Sequence, residues 1–275
     1  MAPIADSPWP APVLRWPTAS LTRSLGFPVE AVGEVDSTNT ELMRRVRAGR
    51  LRQPVLLVAE RQSAARGRLG RAWQTGMAGQ PGGALAFSLA LPLHCQDWSG
   101  LSLAVGLALA ESLHPAIRIK WPNDLWLWDG AQGRKLAGIL IETAAPPAAG
   151  EVRERVAVIG IGINIAPLAG ESFATPPAAL RELRPDVDAP GALALIAAPL
   201  TAAVRTFERD GFAPLLARYA ARDVLAGLWV RCSDGVEGQS LGVGPDGALR
   251  LRLPGGAPHQ VISAEVSVRP AGQLG

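Results

Sequence analysis

"KWPNDLWLWDGAQGRKLAGILIET", residues 120–143, reads as two strand-forming segments joined by a turn. LWLW (125–128) and the run KLAGILIET (135–143) flank a glycine-containing stretch that begins with Asp129-Gly130, which predicts a β-hairpin and therefore antiparallel pairing. Upstream, IRIKW (117–121) is a further strand running into Pro122, and WSGLSLAVGLALAESL (98–113) is apolar enough to be a core helix. ALAFSLAL (84–91), VLLVAE (55–60) and VEAVGEV (29–35) read as strands. Thr38-Asn39-Thr40-Glu41 has capping-box spacing before the helix ELMRRVRAG, which Gly49 stops. Downstream, after an Ala/Pro loop at 144–150, RVAVIGIGINI (155–165) is another strand, and helices come next at 191–209 and 212–222. Strands outnumber helices and neighbours pair, so the prediction is an α+β fold, a mixed or antiparallel sheet with helices packed on it.

Beyond Asp223 the pattern is all β. LWVRCS, GQSLGVG, ALRLRL and HQVISAEVSV are separated by the turns SDG, PDG and PGG, the spacing of a small barrel. At the other end, residues 1–28 hold six prolines and little periodicity, as in an extended tail draped over the main domain. The expected organisation is a proline-rich tail (1–28), a main domain (29–223) and a small C-terminal β-barrel (224–275), without internal repeats or heptads.

The chain has 275 residues, 48% of them hydrophobic, enough for a substantial core. Lys and Arg exceed Asp and Glu by 27 to 24, too little for a broad nucleic-acid surface, so the basic character is local and suits small anions. Cys95 and Cys232 are far apart, with no Cys-x-x-Cys, which predicts a reducing compartment and no thiolate metal site. MAPIADSPWP does not resemble a secretory signal, and the uncharged run 189–204 is short for a membrane span and holds Pro190 and Pro199. A cytoplasmic protein with no membrane partner is expected, the run being a buried Ala/Leu helix.

Two motifs fail on context. GQSLG (238–242) fits a nucleophile elbow, with Asp246 and His259 placed after it in hydrolase order, but hairpin sequence rather than a helix comes next. GIGIN (160–164) begins like a dinucleotide fingerprint and lacks the third glycine and the helix. The three histidines show no ligand spacing.

Other segments carry chemistry. In ERQSAARGRLGRAW (60–73), Arg66, Arg68 and Arg71 alternate with small residues and precede Trp73. Guanidinium forks match carboxylate or phosphate oxygens, and glycine lets backbone N–H groups approach them; a solvated basic loop or an RNA-touching patch would look the same in isolation. KWPND places Lys120, Asn123 and Asp124 around a proline bend, which also suits a purely structural turn. Lys135 opens an apolar strand, where a lysine is commonly an edge charge. Ser37, Thr38 and Asn39 offer neutral donors and acceptors for an uncharged polar headgroup, although capping would also account for Thr38. Asn164 is polar at the end of an apolar strand, suited to an amide, a purine edge or a turn.

Taken in order, DSTN (36–39), ERQSAARGRLGRAW, KWPNDLW, RKLAGILIE and GIGINI resemble the biotin protein ligase family over about residues 32–270, the C-terminal segment resembling its SH3-like barrel. The resemblance implies a class II aminoacyl-tRNA synthetase-like catalytic domain at 29–223. It implies a ligase that joins biotin and ATP into biotinyl-5′-AMP, with Mg2+, and passes biotin to a lysine of a biotin carboxyl carrier protein. On the family pattern, Ser37, Thr38, Asn39, Gln62, Arg66, Arg68 and Lys135 hold biotin. Arg66, Arg68, Arg71, Trp73, Lys120, Asn123, Lys135 and Asn164 hold ATP. Lys135, Arg68 and Asp124 are catalytic, and a homodimer is compatible with the pattern. The family's usual Gly-Arg-Gly-Arg is Ala65-Arg66-Gly67-Arg68 here, which would strain or loosen the loop if position 65 needs a positive φ. The proline-rich front leaves no room for a winged helix, so DNA repression is not expected. The rivals are a lipoyl or octanoyl ligase or transferase, for which Cys95 has no motif, and an RNA-binding protein, for which the eight tryptophans are too scattered.

Overall fold

The computed structural model describes residues 10–51, 53–70, 73, 82–130, 132–145, 155–168, 173, 175–262 and 268–270. In chain order these form α1 (Thr18–Leu25), β1 (Val29–Val35), α2 (Thr38–Arg47), β2 (Val55–Gln62) and β3 (Ala84–Leu93). Next come α3 (Leu101–Leu113), β4 (Ile117–Lys120), β5 (Asp124–Trp128), β6 (Gly133–Ala144) and β7 (Arg155–Asn164). The helices α4 (Ala189–Asp210) and α5 (Leu216–Ala220) precede β8 (Trp229–Cys232), β9 (Glu237–Val243), β10 (Leu249–Arg252), β11 (Pro258–Val261) and β12 (Val268–Pro270). The α+β reading holds. One difference is α1: TASLTRSL winds into a helix where extended chain is expected, closed by Gly26 at φ 78°. Only Leu21 of this helix is buried, so its apolar signal in the sequence is faint. The Ala/Pro loop lies largely outside the described residues.

The chain divides into two compact units. The first comprises Met1–His94, Leu140–Glu171 and Ala179–Ala198. Its strands lie in the order β1-β2-β3-β7, with the end of β6 beside β7. β1 and β2 are parallel, with α2 between them in sequence, whereas β2–β3 and β3–β7 are antiparallel, so the sheet is mixed. The apolar side of α2 (Leu42, Met43, Val46) shares a buried cluster with Val55, Leu57 and Ala59 of β2, Ala90 of β3, and Val156 and Val158 of β7. Period-four spacing on the helix thus meets period-two spacing on the strands.

The second unit comprises Cys95–Ile139, Ser172–Ala178 and Pro199–Gly275. It holds the hairpin read from the sequence, in the order β6-β5-β4. The outer edge of β4 is covered by the chain at 222–224, where Ile119 N–H donates to Arg222 and its carbonyl accepts from Val224. The Arg222 guanidinium ties off the preceding bend through the carbonyls of Pro115 and Ile117. A five-stranded sheet completes the unit, in the order β11-β10-β9-β8-β12, with antiparallel pairings. GQSLG falls inside it: Ser240 is buried in β9 and its N–H bonds Leu228, so the hydrolase elbow is absent.

Helix α4 is long and apolar enough by composition to cross a membrane. Its buried residues, Ala189, Ala192, Leu193, Ile196, Ala197, Leu200, Val204 and Phe207, recur at helical spacing along one stripe, as in a core helix.

Candidate active site

Two groups of polar residues stand out. In the first unit, α2 begins at Thr38, yet the N-cap is Ser37, whose hydroxyl accepts from Thr40 N–H at 3.4 Å. Glu41, the expected box partner, instead pairs with Arg45 at 2.9 Å and Arg44 at 3.1 Å. Thr38 is therefore released from capping. Its N–H donates to Gln62 Oε1 at 2.8 Å, and its hydroxyl lies 2.8 Å from that of Ser88 and 3.2 Å from Gln62 Oε1. Ser88 donates to Asn39 Oδ1 at 3.0 Å, and Asn39 Nδ2 donates to Glu142 at 2.6 Å. Gln62, Thr38, Ser88, Asn39 and Glu142 make one continuous hydrogen-bonded chain.

Such a chain is costly to bury unless its members satisfy one another, and Ser88 is fully buried within an apolar strand. The antiparallel register fixes its position: Ser88 pairs with Gly160, and a Cβ on Gly160 would lie 2.6 Å from Asn39 Oδ1. Two residues along the same face, a Cβ on Gly162 would lie 2.4 Å from the Trp73 indole nitrogen. The glycines of GIGIN therefore make room for two side chains on the sheet face, which explains a motif that is not a dinucleotide fingerprint. Asn164 is the next residue on that face, buried opposite Ala84. Sequence reading missed Ser88 and Glu142; the signal was a serine inside ALAFSLAL and an acid ending an apolar strand.

The arginine loop returns on itself, since Trp73 N–H donates to the carbonyl of Ala65 at 3.0 Å. Ala65 is buried there and Arg66, exposed, donates to Thr40 Oγ1 at 2.6 Å. Arg68 opens a short 3-10 turn ending at Gly70, φ 69°. Arg71 lies outside the described residues.

In the second unit, Lys135 Nζ is 2.7 Å from Asp124 Oδ1, and Lys120 Nζ sits 5.1 Å above the Trp126 ring. The backbone accounts for this gathering. Asp124 pairs with Gly138 and with Lys120, whereas Trp126 pairs with Lys135, so the β5–β6 register slips by one residue between them. A bulge of this kind swings Lys135 onto the face shared by Lys120, Asp124 and Trp126; in regular register it would point the other way. Lys135 is further held by its own backbone, N–H to Pro176 and C=O from Ala178, both 2.8 Å. It is thus a fixed cation with a carboxylate partner, its side chain 29% exposed. A solvated edge charge would have neither.

Asn123 is a brace, its amide donating to the Ile139 carbonyl at 2.7 Å while its carbonyl accepts from Ile139 N–H. In the same turn Trp121 is fully buried, precedes a cis peptide to Pro122, and donates Nε1–H to Gly247 O at 3.1 Å. Gly133 is forced by packing, because a Cβ there would fall 2.0 Å from the Trp126 ring. Amide and hydroxyl groups with no cation among them, as in the first group, suit an uncharged headgroup, and the fixed cations of the second suit an anion.

Comparison with known proteins agrees. A profile of the biotin/lipoate A/B protein ligase family matches residues 32–164. The bifunctional ligase/repressor BirA of Escherichia coli is 34% identical over 263 residues, covering 90% of this chain and 75% of that protein. A biotin–[acetyl-CoA-carboxylase] ligase of Paracoccus denitrificans is 35% identical over 249 residues, covering 85% of this chain and 97% of that protein. Among solved structures, the biotin protein ligase of Aquifex aeolicus in complex with biotin and ATP superposes with a TM-score of 0.71 at 25% identity, over 88% of this chain and 99% of that one. By sequence and by fold, the chain belongs to the biotin/lipoate A/B protein ligase family.

Proposed function

We propose that this chain is a biotin protein ligase that activates biotin with ATP and transfers it to a lysine of a biotin carboxyl carrier protein in the cytoplasm. The observation that carries it is the hydrogen-bonded chain Gln62–Thr38–Ser88–Asn39–Glu142, buried at Thr38, Ser88 and Asn39 and half-buried at its ends. It presents donors and acceptors without a cation, as a urea headgroup requires. Ser37, Thr38, Asn39 and Gln62 hold biotin, Trp73 and Asn164 face the adenine, and Asn123 acts by bracing the turn that carries Asp124.

The chemistry is limited by charge. A biotin carboxylate oxygen must attack the α-phosphorus while the bond to pyrophosphate breaks, and the two anions repel. Lys135 neutralises both partners where negative charge gathers, Lys120 supports the phosphates, and Arg66, Arg68 and Arg71 close over the adenylate. In the second step the carrier amine attacks the acyl carbon, AMP leaves, and the amine's proton passes to solvent. Water must be excluded between the steps, which is the work of the arginine loop. Magnesium enters with the nucleotide. Among the described residues no three His, Cys, Asp or Glu cluster as a metal cage, but Mg2+ on phosphates needs only one or two carboxylates, and Asp124 fits that part. There it would offset phosphate charge. The expected domains, 29–223 catalytic and 224–275 barrel, belong to the same proposal.

Both cysteines are poor nucleophiles. Burial pushes the Cys95 thiol up, helped by Glu208 and Asp97, and burial with Asp234 pushes Cys232 to about 11, which speaks against a cysteine-dependent transferase. The test is exchange of labelled pyrophosphate into ATP with biotin, lipoate or octanoate. Exchange with biotin alone supports the proposal; exchange driven by lipoate or octanoate overturns the substrate.

A further inference from the structure

The N-terminal segment at 10–16 makes a set of contacts that the reaction does not explain. Glu60, near the end of β2, is 6% exposed. Its carboxylate accepts from Val13 N–H at 2.9 Å, from Leu14 N–H, and from Trp16 Nε1–H at 3.2 Å. A buried carboxylate given three N–H donors by one short segment is a specific lock, because charge-assisted bonds are strong and an unpartnered buried charge is costly. A few residues earlier, Pro10 O accepts from Gly33 N–H at 2.7 Å, and a Cβ on Gly33 would come 2.6 Å from the Ala11 carbonyl. In the β1–β2 register Gly33 falls opposite Glu60, between the pairs Val32–Ala59 and Glu34–Arg61. The segment therefore crosses β1 where only glycine fits and fastens to β2 directly beside it.

The place of attachment matters. Glu60 is the last buried residue before the arginine loop, two positions before Gln62 and six before Arg66. Gly82 lies on the far side of that loop, and a Cβ there would meet Leu14 Cδ1 at 3.5 Å. One strap thus touches both roots of the loop. Ala59 faces the α2 cluster, so alternation turns Glu60 to the opposite face, and the strap grips the loop's roots from behind the sheet.

We propose that residues 10–16 are a strap locked by Glu60, and that Glu60 is a positioning residue which sets how long the arginine loop retains the activated intermediate. The proposal rests on the ligase reading for its intermediate but not for its structural half. The strap holds the chain from which residues 61–70 depart, so it changes release of biotinyl-adenylate more than its formation.

The test uses the full chain, a deletion of residues 2–16, Glu60→Gln, the two combined, and Trp16→Phe, which removes one donor and leaves the segment in place. Two readouts are needed. Amide hydrogen exchange over residues 61–70 without ligand tests the strap itself: the deletion and Glu60→Gln speed exchange on the order of tenfold, Trp16→Phe about threefold. Release of preformed adenylate rises in the same order, while the biotin-dependent pyrophosphate exchange rate stays within about threefold. The combined variant is no worse than the deletion, since both remove one interaction. A peptide of residues 8–17 added to the deletion protein restores slow release, and fails to do so when Glu60 is also Gln. Unchanged loop exchange in the deletion, additive effects, or rescue indifferent to Glu60 would each overturn the proposal. Absence of biotin-dependent exchange in the full chain would instead remove the ligase reading, leaving the loop measurement to judge the strap.

Discussion

Lys135 shows how a single side chain gets its meaning from the backbone around it. The sequence marked it as a lysine beginning an apolar strand, equally an edge charge; the bulge that turns it toward Asp124 has no residue signature in RKLAG and emerges only from pairing. Thr38 was ambiguous for the same reason: capping-box spacing was legible, but whether Ser37 or Thr38 serves the helix depends on where Gln62 and Ser88 stand. The glycines of GIGIN, legible in the sequence only as an incomplete fingerprint within a strand, are contact surfaces. Substituting Gly162→Ala places a methyl against the Trp73 indole, 2.4 Å from its nitrogen, and displaces the ring. If Trp73 stacks on adenine, the variant's KM for ATP rises roughly twofold to tenfold with biotin affinity unchanged, since such stacking is worth roughly 0.5–1.5 kcal/mol. Equal KM values in a pyrophosphate-exchange titration would detach Trp73 from the nucleotide.

At the scale of elements, nearly every strand was visible, because β-branched and leucine runs bounded by Gly and Pro admit few other readings. The helix α1 was not, having one buried residue and no stripe. The turn KWPND and the connection after α5 each hold a buried polar group whose removal is testable. Trp121→Phe keeps an aromatic ring but trims the buried indole and removes the Nε1–H bond to Gly247 O, leaving a small cavity and a buried carbonyl unpaired. A loss of about 2–4 kcal/mol is expected, read as a lower midpoint in urea with unchanged slope. Asp223, where the chain covers β4, is raised by burial from 3.8 to about 6, against the opposing pull of the Leu225 and Ala226 N–H groups. A raised carboxyl favours the protonated folded state, so its contribution is complete below pH 3.8 and is lost as pH climbs through about 6. Asp223→Asn escapes that loss. It should gain on the parent chain by about 2 kcal/mol between pH 4 and pH 7, at roughly 1.4 kcal/mol for each tenfold change in proton affinity. Identical stability differences at both pH values would show that Asp223 ionises freely.

Over the whole molecule, the sequence supplied an α+β main body with a β-rich end, and the order of its polar segments supplied the family. It could not supply the contacts of the proline-rich front, since Pro10, Val13 and Leu14 engage Gly33 and Glu60 through backbone atoms that almost any residue would carry. Nor could it reveal Ser88 and Glu142 as partners of Thr38 and Asn39, a relation of three strands and a helix rather than of spacing. On the proposed reading, catalysis turns on cations, Lys135 foremost, that neutralise two anions which must react. Biotin-dependent exchange of labelled pyrophosphate into ATP, compared between the parent chain and Lys135→Ala with adenylate-to-carrier transfer as a control for folding, tests it most directly. A loss of at least about 100-fold in exchange is predicted, on the scale seen when a group that stabilises developing charge is removed. Exchange within a few-fold of the parent would contradict it.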